Sequence, residues 1–462
     1  MSANAPLHLP LEDLRGLVQG GHTRPLTWRF TQIGRLERLI DQHERVILEA
    51  LAADLGKPPL EAYFELAAVR FELKLTRRRL RRWMAPRPVS VPLSQQPARA
   101  FVVAEPLGCV LIIGPWNFPF QLCLQPLVSI LAAGNTAVLK PSEHAPHTGS
   151  LLAQLLEDAF PADTVAVVLG DGDVAQDLLQ ERFDHIFFTG GARVARLVMA
   201  AAARHLTPLT LELGGKSPAI VLADADLEVS ARRLIWGKGL NAGQACVAPD
   251  HLLVEAKVRE PFLAHLKAEI ARQYGDDPLQ SPDLPQIVNT DQFERLRVLL
   301  ERARQRGQVL AGGHLDPAGR RMAPTLLAVR NGEDPLMQEE LFGPLLPIQT
   351  VGSLDDAIEE VNGRPKPLAL YLFSRNPQAQ ERLLARTSSG GVVFNDVVVQ
   401  AAVPQLPFGG VGESGMGSYH GQAGFEAFSH RRSVLRRPFW LDLPLRYAPY
   451  GERLGLVRRL LG

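Results

Sequence analysis

The 462-residue chain has few cysteines, almost no net charge and no long apolar run, and each shortage removes a class of protein. Three cysteines, Cys109, Cys123 and Cys246, cannot build a disulfide framework at this size, so a reducing cytoplasmic setting is expected and a reactive thiol is allowed. Fifty basic side chains against 49 acidic ones leave a formal charge of +1, which provides no net field for nucleic acid or acidic lipid. The basic run Arg77-Arg78-Arg79-Leu80-Arg81-Arg82 closes a periodic helix and reads as its solvated, cation-rich C-terminal turn. The longest apolar stretch, Leu127 to Leu139, is broken by Gly134-Asn135-Thr136 and falls short of the roughly 20 residues that cross a bilayer. Met1 to Pro10 lacks a basic segment followed by an apolar one, so no secretory signal is expected. The 12 histidines show no zinc spacing and no two cysteines lie close in sequence, so no metal is expected.

What is present is an ordinary compact composition, 46% hydrophobic and 21% charged, in a chain long enough for two or three packed domains. From Ile33, the positions Leu36, Ile40, Ile47 and Leu51 follow helical spacing up to a stop at Gly56, and a second helix is expected from about Leu60 to Met84. Pro86, Pro88, Pro92 and Pro97 then leave only short extended pieces. Between Gly108 and Glu212 the runs Val110–Ile113, Ala137–Leu139, Val165–Leu169, Ile186–Phe188 and Leu209–Leu211 alternate with helical stretches. Runs apolar at every position belong in a parallel sheet covered on both faces, and such sheets bind ligands beyond their strand carboxyl ends. The alternation restarts from Ser217 to about Pro404, with Ala219–Leu222, Leu252–Val254, Leu368–Phe373 and Val392–Phe394 as strands. Leu406 to Gly462 reads as an arm and a tail.

Two glycine turns sit where a nucleotide would be held. Gly170-Asp-Gly-Asp-Val-Ala175 follows one strand, and Thr189-Gly190-Gly191 follows another and opens a helix whose free N–H groups can face a diphosphate. The alternative for both is a plain tight turn. Gly214-Gly215-Lys216-Ser217 is not a P-loop, because that motif's first glycine would fall at Thr210, and Gly412-Glu413-Ser414-Gly415 lacks the spacing of a nucleophile elbow.

Three side chains carry possible chemistry. Cys246 lies among small residues in Asn241-Ala-Gly-Gln-Ala-Cys246-Val-Ala-Pro, where its alternative is a small buried hydrophobe. Glu212 ends an apolar strand in Leu211-Glu-Leu-Gly-Gly, a placement that raises a carboxyl pKa and suits a general base, unless it is an N-cap or an ion pair. Asn117, in Gly114-Pro-Trp-Asn-Phe-Pro119, offers a stiffened amide donor for an oxyanion, or merely a turn residue.

Taken together, Pro115-Trp-Asn-Phe-Pro119, Leu139-Lys-Pro-Ser-Glu143, Phe188-Thr-Gly190, Leu211-Glu-Leu-Gly-Gly-Lys216, Gly243-Gln-Ala-Cys246 and Glu339-Glu-Leu-Phe-Gly-Pro344 resemble the aldehyde dehydrogenase superfamily in order and spacing. The resemblance covers about residues 30 to 435. The segment Pro407-Phe-Gly-Gly-Val-Gly-Glu-Ser-Gly-Met-Gly417, with Tyr419-His-Gly421, is similar to the class 3 branch. It implies an α/β fold with a parallel-sheet dinucleotide-binding domain over 1–84 and 106–214. A catalytic domain over 215–404, a bridging arm over 85–105 and 405–437, and a tail over 438–462 complete it.

By the same resemblance Cys246 is the nucleophile, Asn117 and the Cys246 N–H hold the oxyanion, and Glu212 activates the water that hydrolyses a thioester. Lys140 and Glu143 would hold the adenosine ribose, and Gly190, Gly191, Val194 and Leu213 would line the dinucleotide site. Glu340 would meet the nicotinamide ribose, with Phe342 beside the ring and Trp116 lining the passage. NAD is the expected cofactor, with NADP accommodated, and a broad aliphatic or aromatic aldehyde the expected substrate.

The chain departs from the family pattern at Ala192 and Ala195, which replace a threonine and a glycine after Gly190, and at Ala245, where threonine is common. A homodimer is expected. The tail is charged at Asp442, Arg446, Glu452, Arg453, Arg458 and Arg459, which precludes a span and leaves peripheral membrane contact. Acyl transfer to coenzyme A and a non-catalytic reuse of the fold are the competing readings; the presence of Glu212 weighs against the first and the intact set of chemical positions against the second.

Overall fold

The computed structural model describes residues 9–461. The secretory-signal reading therefore falls mostly on residues outside the described part. Among the described residues no helix is long and apolar enough to cross a membrane.

The architecture is the expected α/β one, organised around two sheets. The first has the strand order Gly415–Met416, Leu209–Glu212, His185–Thr189, Cys109–Ile113, Thr136–Lys140 and Val165–Val167. All neighbours run parallel except Gly415–Met416, which pairs antiparallel with Leu209–Glu212. Every residue of Cys109–Ile113 is buried, because alternate side chains enter opposite layers. Val110 and Ile112 join the core under the long N-terminal helices, while Cys109, Leu111 and Ile113 join the one on the other face. Each such leucine or isoleucine contributes about 1.5–3 kcal/mol by leaving water.

Leu36, Ile40, Ile47 and Leu51 are fully buried on the helix Leu26–Leu55, which begins earlier than its periodicity predicts and stops at Gly56 in the left-handed conformation, φ 63°. The next helix, Pro59–Trp83, packs against it and against Gln121–Ala133.

The second sheet has the order Val309–Ala311, Thr325–Val329, Leu345–Val351, His251–Glu255, Pro218–Val221, Ala369–Phe373 and Gly391–Phe394. The first three strands were not foreseen. Leu345-Leu-Pro-Ile-Gln-Thr-Val351 carries Pro347 inside the ladder, opposite Leu327, and proline reads as a breaker of interior strands. Thr325–Val329 is rich in leucine and alanine, which favour strand weakly.

A third, antiparallel sheet joins Arg87–Val89, Arg99–Pro106 and Ser429–Arg436. Residues 405–437 thus divide between structures: Gly415–Met416 belongs to the first sheet, the helix Gly421–Ala427 packs on the N-terminal helices, and Ser429–Arg436 extends the outlying sheet.

Candidate active site

The cysteine loop starts where the helix Leu227–Gly239 ends. Asn241, Ala242 and Gly243 then take three successive left-handed conformations, φ 50°, 52° and 76°. A non-glycine residue pays about 1–2 kcal/mol there, so the turn must be held from outside. The Asn241 N–H donates to Glu61 Oε2 at 2.8 Å, and its side-chain amide donates to the Asn117 carbonyl at 2.8 Å. The Gln244 amide donates to the carbonyls of Asn241 and Gln286 at 3.0 and 2.9 Å, and its Oε1 accepts from Val288 N–H at 2.9 Å. At Gly243 a Cβ would lie 2.3 Å from the Gly343 carbonyl oxygen, so only glycine fits.

Cys246 leaves this turn partly exposed, and its own N–H and that of Val247 point at the sulfur. Burial nevertheless pushes the thiol up to about 12, and the nearby Glu340 and Glu212 add to the rise.

Asn117 is buried after the strand Cys109–Ile113, and its Nδ2 donates to the Gln244 carbonyl at 3.1 Å, tying it to the nucleophile loop. Its own carbonyl also accepts from Lys57 Nζ at 2.8 Å. Lys57 pairs with Glu65, both side chains fully out of water, and Glu65 Oε2 accepts the N–H groups of Phe120 and Gln121 at 3.1 and 3.0 Å. The Lys57 ammonium also sits 4.1 Å from the Phe118 ring centre. This support was not read from the sequence. The available signal was Glu65 inside the apolar stripe Ala62, Leu66, Val69 and Leu73, where a carboxylate needs a partner.

Glu212 is buried beside Thr189, its partner across the parallel ladder. Neither carboxyl oxygen has a hydrogen-bond partner, and neither does the Thr189 hydroxyl. Burial alone holds the Glu212 carboxyl well above the usual range. Cys246, Glu212 and Thr189 open into one cavity walled by Phe64, Phe71, Leu122, Trp236, Val399, Phe408 and Tyr419.

On the other side of the sheet end, Lys140 is buried with its ammonium 3.2 Å from both the Pro141 carbonyl and Glu143 Oε2. The helix Ala192–Ala203 starts behind Gly191 with no side chain capping it, while the Gly190 N–H is already taken by the Glu212 carbonyl at 3.0 Å. Val194 is exposed on the first turn of that helix, and the buried Leu213 donates its N–H to Ser414 O at 3.1 Å. The competing turn behaves otherwise: Asp171 caps the helix Gly172–Leu178 with its own carboxylate, which occupies the donors and would repel a diphosphate.

Glu340 reaches back to the first sheet. A Cβ on Gly214 would fall 2.3 Å from its Oε2, and the Gly215 N–H supports the carboxylate, although burial still pushes it up to about 8. Its neighbours are pinned, since Lys216 pairs with Asp250 and donates to Glu339 O at 3.0 Å, while Asp250 Oδ1 accepts Leu341 N–H at 2.9 Å. Phe342, at φ 49°, packs edge-on to Trp116 with ring centres 5.3 Å apart. An uncapped helix start and a buried lysine at a strand end fit a dinucleotide. Among the described residues no cluster of histidine, cysteine and carboxylates could hold a metal ion.

The aldehyde dehydrogenase family model matches residues 22–434. The chain is 44% identical to aldehyde dehydrogenase family 3 member H1 of Arabidopsis thaliana over 452 residues, covering 97% of this chain and 93% of that one. It is 46% identical over 422 residues to the dimeric NADP-preferring aldehyde dehydrogenase of Rattus norvegicus, covering 91% and 92%. Among solved structures, the substrate-bound state of Staphylococcus aureus AldH superposes with a TM-score of 0.94 at 40% identity, covering 98% of each chain.

Proposed function

The chain belongs to the aldehyde dehydrogenase family, an NAD(P)-dependent oxidoreductase of aldehydes, and from that membership we propose that Cys246, Asn117 and Glu212 carry its chemistry. The observation that carries the reading is the sharing of one apolar cavity by a partly exposed thiol and a buried carboxyl with both oxygens unpartnered. The Cys246 thiolate adds to the aldehyde carbon, and the second Asn117 amide hydrogen and the Cys246 N–H receive the oxyanion, each donor being worth about 3–4 kcal/mol. The dinucleotide, when bound, supplies the hydride acceptor. Lys140 and Glu143 would hold its ribose, the turn at Gly190 and Gly191 and the helix start through Val194 would face its phosphates beside Leu213, and Glu340, Phe342 and Trp116 would flank its reactive end. Glu212 then takes a proton from water, which attacks the thioester and releases the carboxylic acid with return of the sulfur electron pair to Cys246.

The apolar walls select aldehydes with an aliphatic or aromatic body. A dinucleotide-binding unit over 1–84 and 106–214, a catalytic unit over 215–404, a bridging arm over 85–105 and 405–437 and a tail over 438–462 accord with the three larger sheets. The outlying sheet ends on the exposed strand Ser429–Arg436, which suits a homodimer contact, and three unpaired thiols suit the cytoplasm. The tail exposes Phe439, Trp440 and Leu443, so it suits peripheral contact.

Medium-chain and aromatic aldehydes with NAD or NADP should generate reduced nicotinamide absorbance, and Cys246→Ala should abolish it. Glu212→Gln should give one burst of reduced cofactor and then stall. Normal turnover by Glu212→Gln would remove it as the base.

A further inference from the structure

Each turnover converts an aldehyde, water and oxidised cofactor into a carboxylate, reduced cofactor and two protons. During hydrolysis the water O–H bond breaks, its oxygen bonds to the acyl carbon, the C–S bond breaks toward sulfur, and the proton goes to Glu212. Glu212 lines a cavity whose walls are mostly apolar, and a substrate bound there would stand between it and the cavity mouth. The proton needs another way out.

A second buried carboxyl stands behind the cavity. Glu72 is fully buried on the helix Pro59–Trp83, one turn beyond the cavity-lining Ala68. Its Oε1 accepts the Gly421 N–H at 2.7 Å, directly after the cavity residues Tyr419 and His420. Gln125 approaches the carboxyl from the helix Gln121–Ala133, and Gln125 Oε1 in turn accepts from the side chain of Gln121, which lines the cavity, at 3.1 Å. Glu72 Oε2 closes no hydrogen bond.

Further unpartnered buried polar atoms accompany it. The hydroxyls of Thr76 and Ser129 lie one helical turn beyond Glu72 and Gln125 on the two facing helices, and both ring nitrogens of His420 are orphaned beside the Gly421 contact. Buried polar groups left open in this way are where proteins hold internal water. The titratable groups near Glu72 are His420, next to the Gly421 contact, and Tyr419, whose hydroxyl is within the field of Glu72, Glu212 and Cys246. Burial lifts the Glu72 carboxyl to about 7, against the opposing effect of the Gly421 N–H and the Gln125 amide. A group with that value exchanges protons freely at neutral pH.

We propose that Glu72 is the proton exit of this cavity: by way of the cavity edge at Tyr419 and Gln121 it takes up the proton that Glu212 removed from the hydrolytic water, and so carries it away from the substrate. The proposal rests on Glu212 acting as the base. Glu72 touches no reacting atom, so it positions and drains rather than catalyses.

The test uses the full-length enzyme with NAD and a saturating aldehyde. Glu72→Gln keeps the acceptor for Gly421 N–H but cannot take a proton, so kcat should fall about tenfold while KM stays within about twofold. The solvent deuterium isotope effect on kcat should rise, the pH profile should change shape, and Glu72→Asp should recover most of the rate. Ser129→Ala, which leaves the Gly421 contact alone, should show the same isotope signature with a smaller loss of about threefold. Glu212→Gln is run beside them. A slow Glu212→Gln with a Glu72→Gln that keeps the native kcat, pH profile and isotope effect overturns the exit alone. Native behaviour of both variants overturns the base assignment and the exit together. A rate loss in Glu72→Gln that tracks a fall in folded protein, with an unchanged isotope effect, assigns Glu72 a structural role and equally overturns the proposal.

Discussion

The two sides of the cavity that holds Cys246 and Glu212 are built on opposite rules. Around Asn117 and the cysteine loop most polar atoms are tied, Asn241 Oδ1 excepted: Lys57 to Glu65 and to the Asn117 carbonyl, Gln244 to three backbone groups, the Asn241 N–H to Glu61. Around Glu212 the carboxyl oxygens and the Thr189 hydroxyl have no partner at all. The difference matches the work proposed for each side. Groups that must meet a developing charge at a fixed place gain by being held there before the charge forms, whereas a group that must gain and lose protons would be trapped by strong partners.

The largest expected effect comes from breaking the tied side. Lys57→Met leaves the Glu65 carboxylate buried and unpaired, which should cost about 3–5 kcal/mol in chemical denaturation and lower kcat through Asn117. If stability drops and kcat per folded molecule does not, the tie serves the fold and not the oxyanion. Asn117→Ala comes next: loss of one oxyanion donor should reduce kcat by about 10²- to 10³-fold with folding intact, measured by steady-state kinetics and thermal melting. A loss under about tenfold would assign the oxyanion to backbone N–H groups alone.

A buried carboxyl on the tied side, Glu61, and one at the Gly214 turn, Glu340, make a pH prediction of smaller size. Burial raises Glu340 to about 8 and Glu61 to about 7. The folded state therefore keeps protons that the unfolded chain gives up near its usual carboxyl range. This contribution to stability is complete below about pH 4.5 and is lost as pH climbs through about 7 to 8. Thermal melting should show Tm falling over that window, and Glu61→Gln, which still accepts the Asn241 N–H, should flatten the fall. A Tm that climbs steadily from about pH 5 to 8 contradicts the assignment.

The smallest effect concerns the cofactor. Glu143→Ala removes an exposed carboxylate that would oppose a 2′-phosphate, so the ratio of kcat/KM for NADP over NAD should rise about threefold or more. An unchanged ratio would place the discrimination elsewhere.

Legibility from the sequence followed the same division. Strands such as Cys109–Ile113, apolar at every position, were visible to within a residue, and so were the helices ending near Gly56 and Trp83. Cys246, Glu212 and Asn117 were ambiguous singly and became a set only through the ordered motifs around them. The tied network was invisible, because its contacts join residues such as Lys57 and Asn117, 60 positions apart, and no local periodicity encodes such a pair. Glu65 and Glu72 did leave a trace, as carboxylates at core positions of an amphipathic helix. The strand Leu345–Val351 was hidden by Pro347, whose missing N–H is tolerated in the finished ladder but argues against a strand when read alone.

Glu212 ends a strand that borders open space until Gly415–Met416 arrives to pair with it. On the ribosome, at about 5–20 residues per second, the 203 residues from 212 to 415 take about 10–40 s to make. Throughout that interval the edge of the first sheet stays uncovered, the kind of edge on which strands from other chains add. A nascent chain halted anywhere in that interval would carry Glu212, the proposed base, on an open, adhesive border. Maturation of the site and protection of the chain from aggregation therefore come with the same two residues, near the end of synthesis.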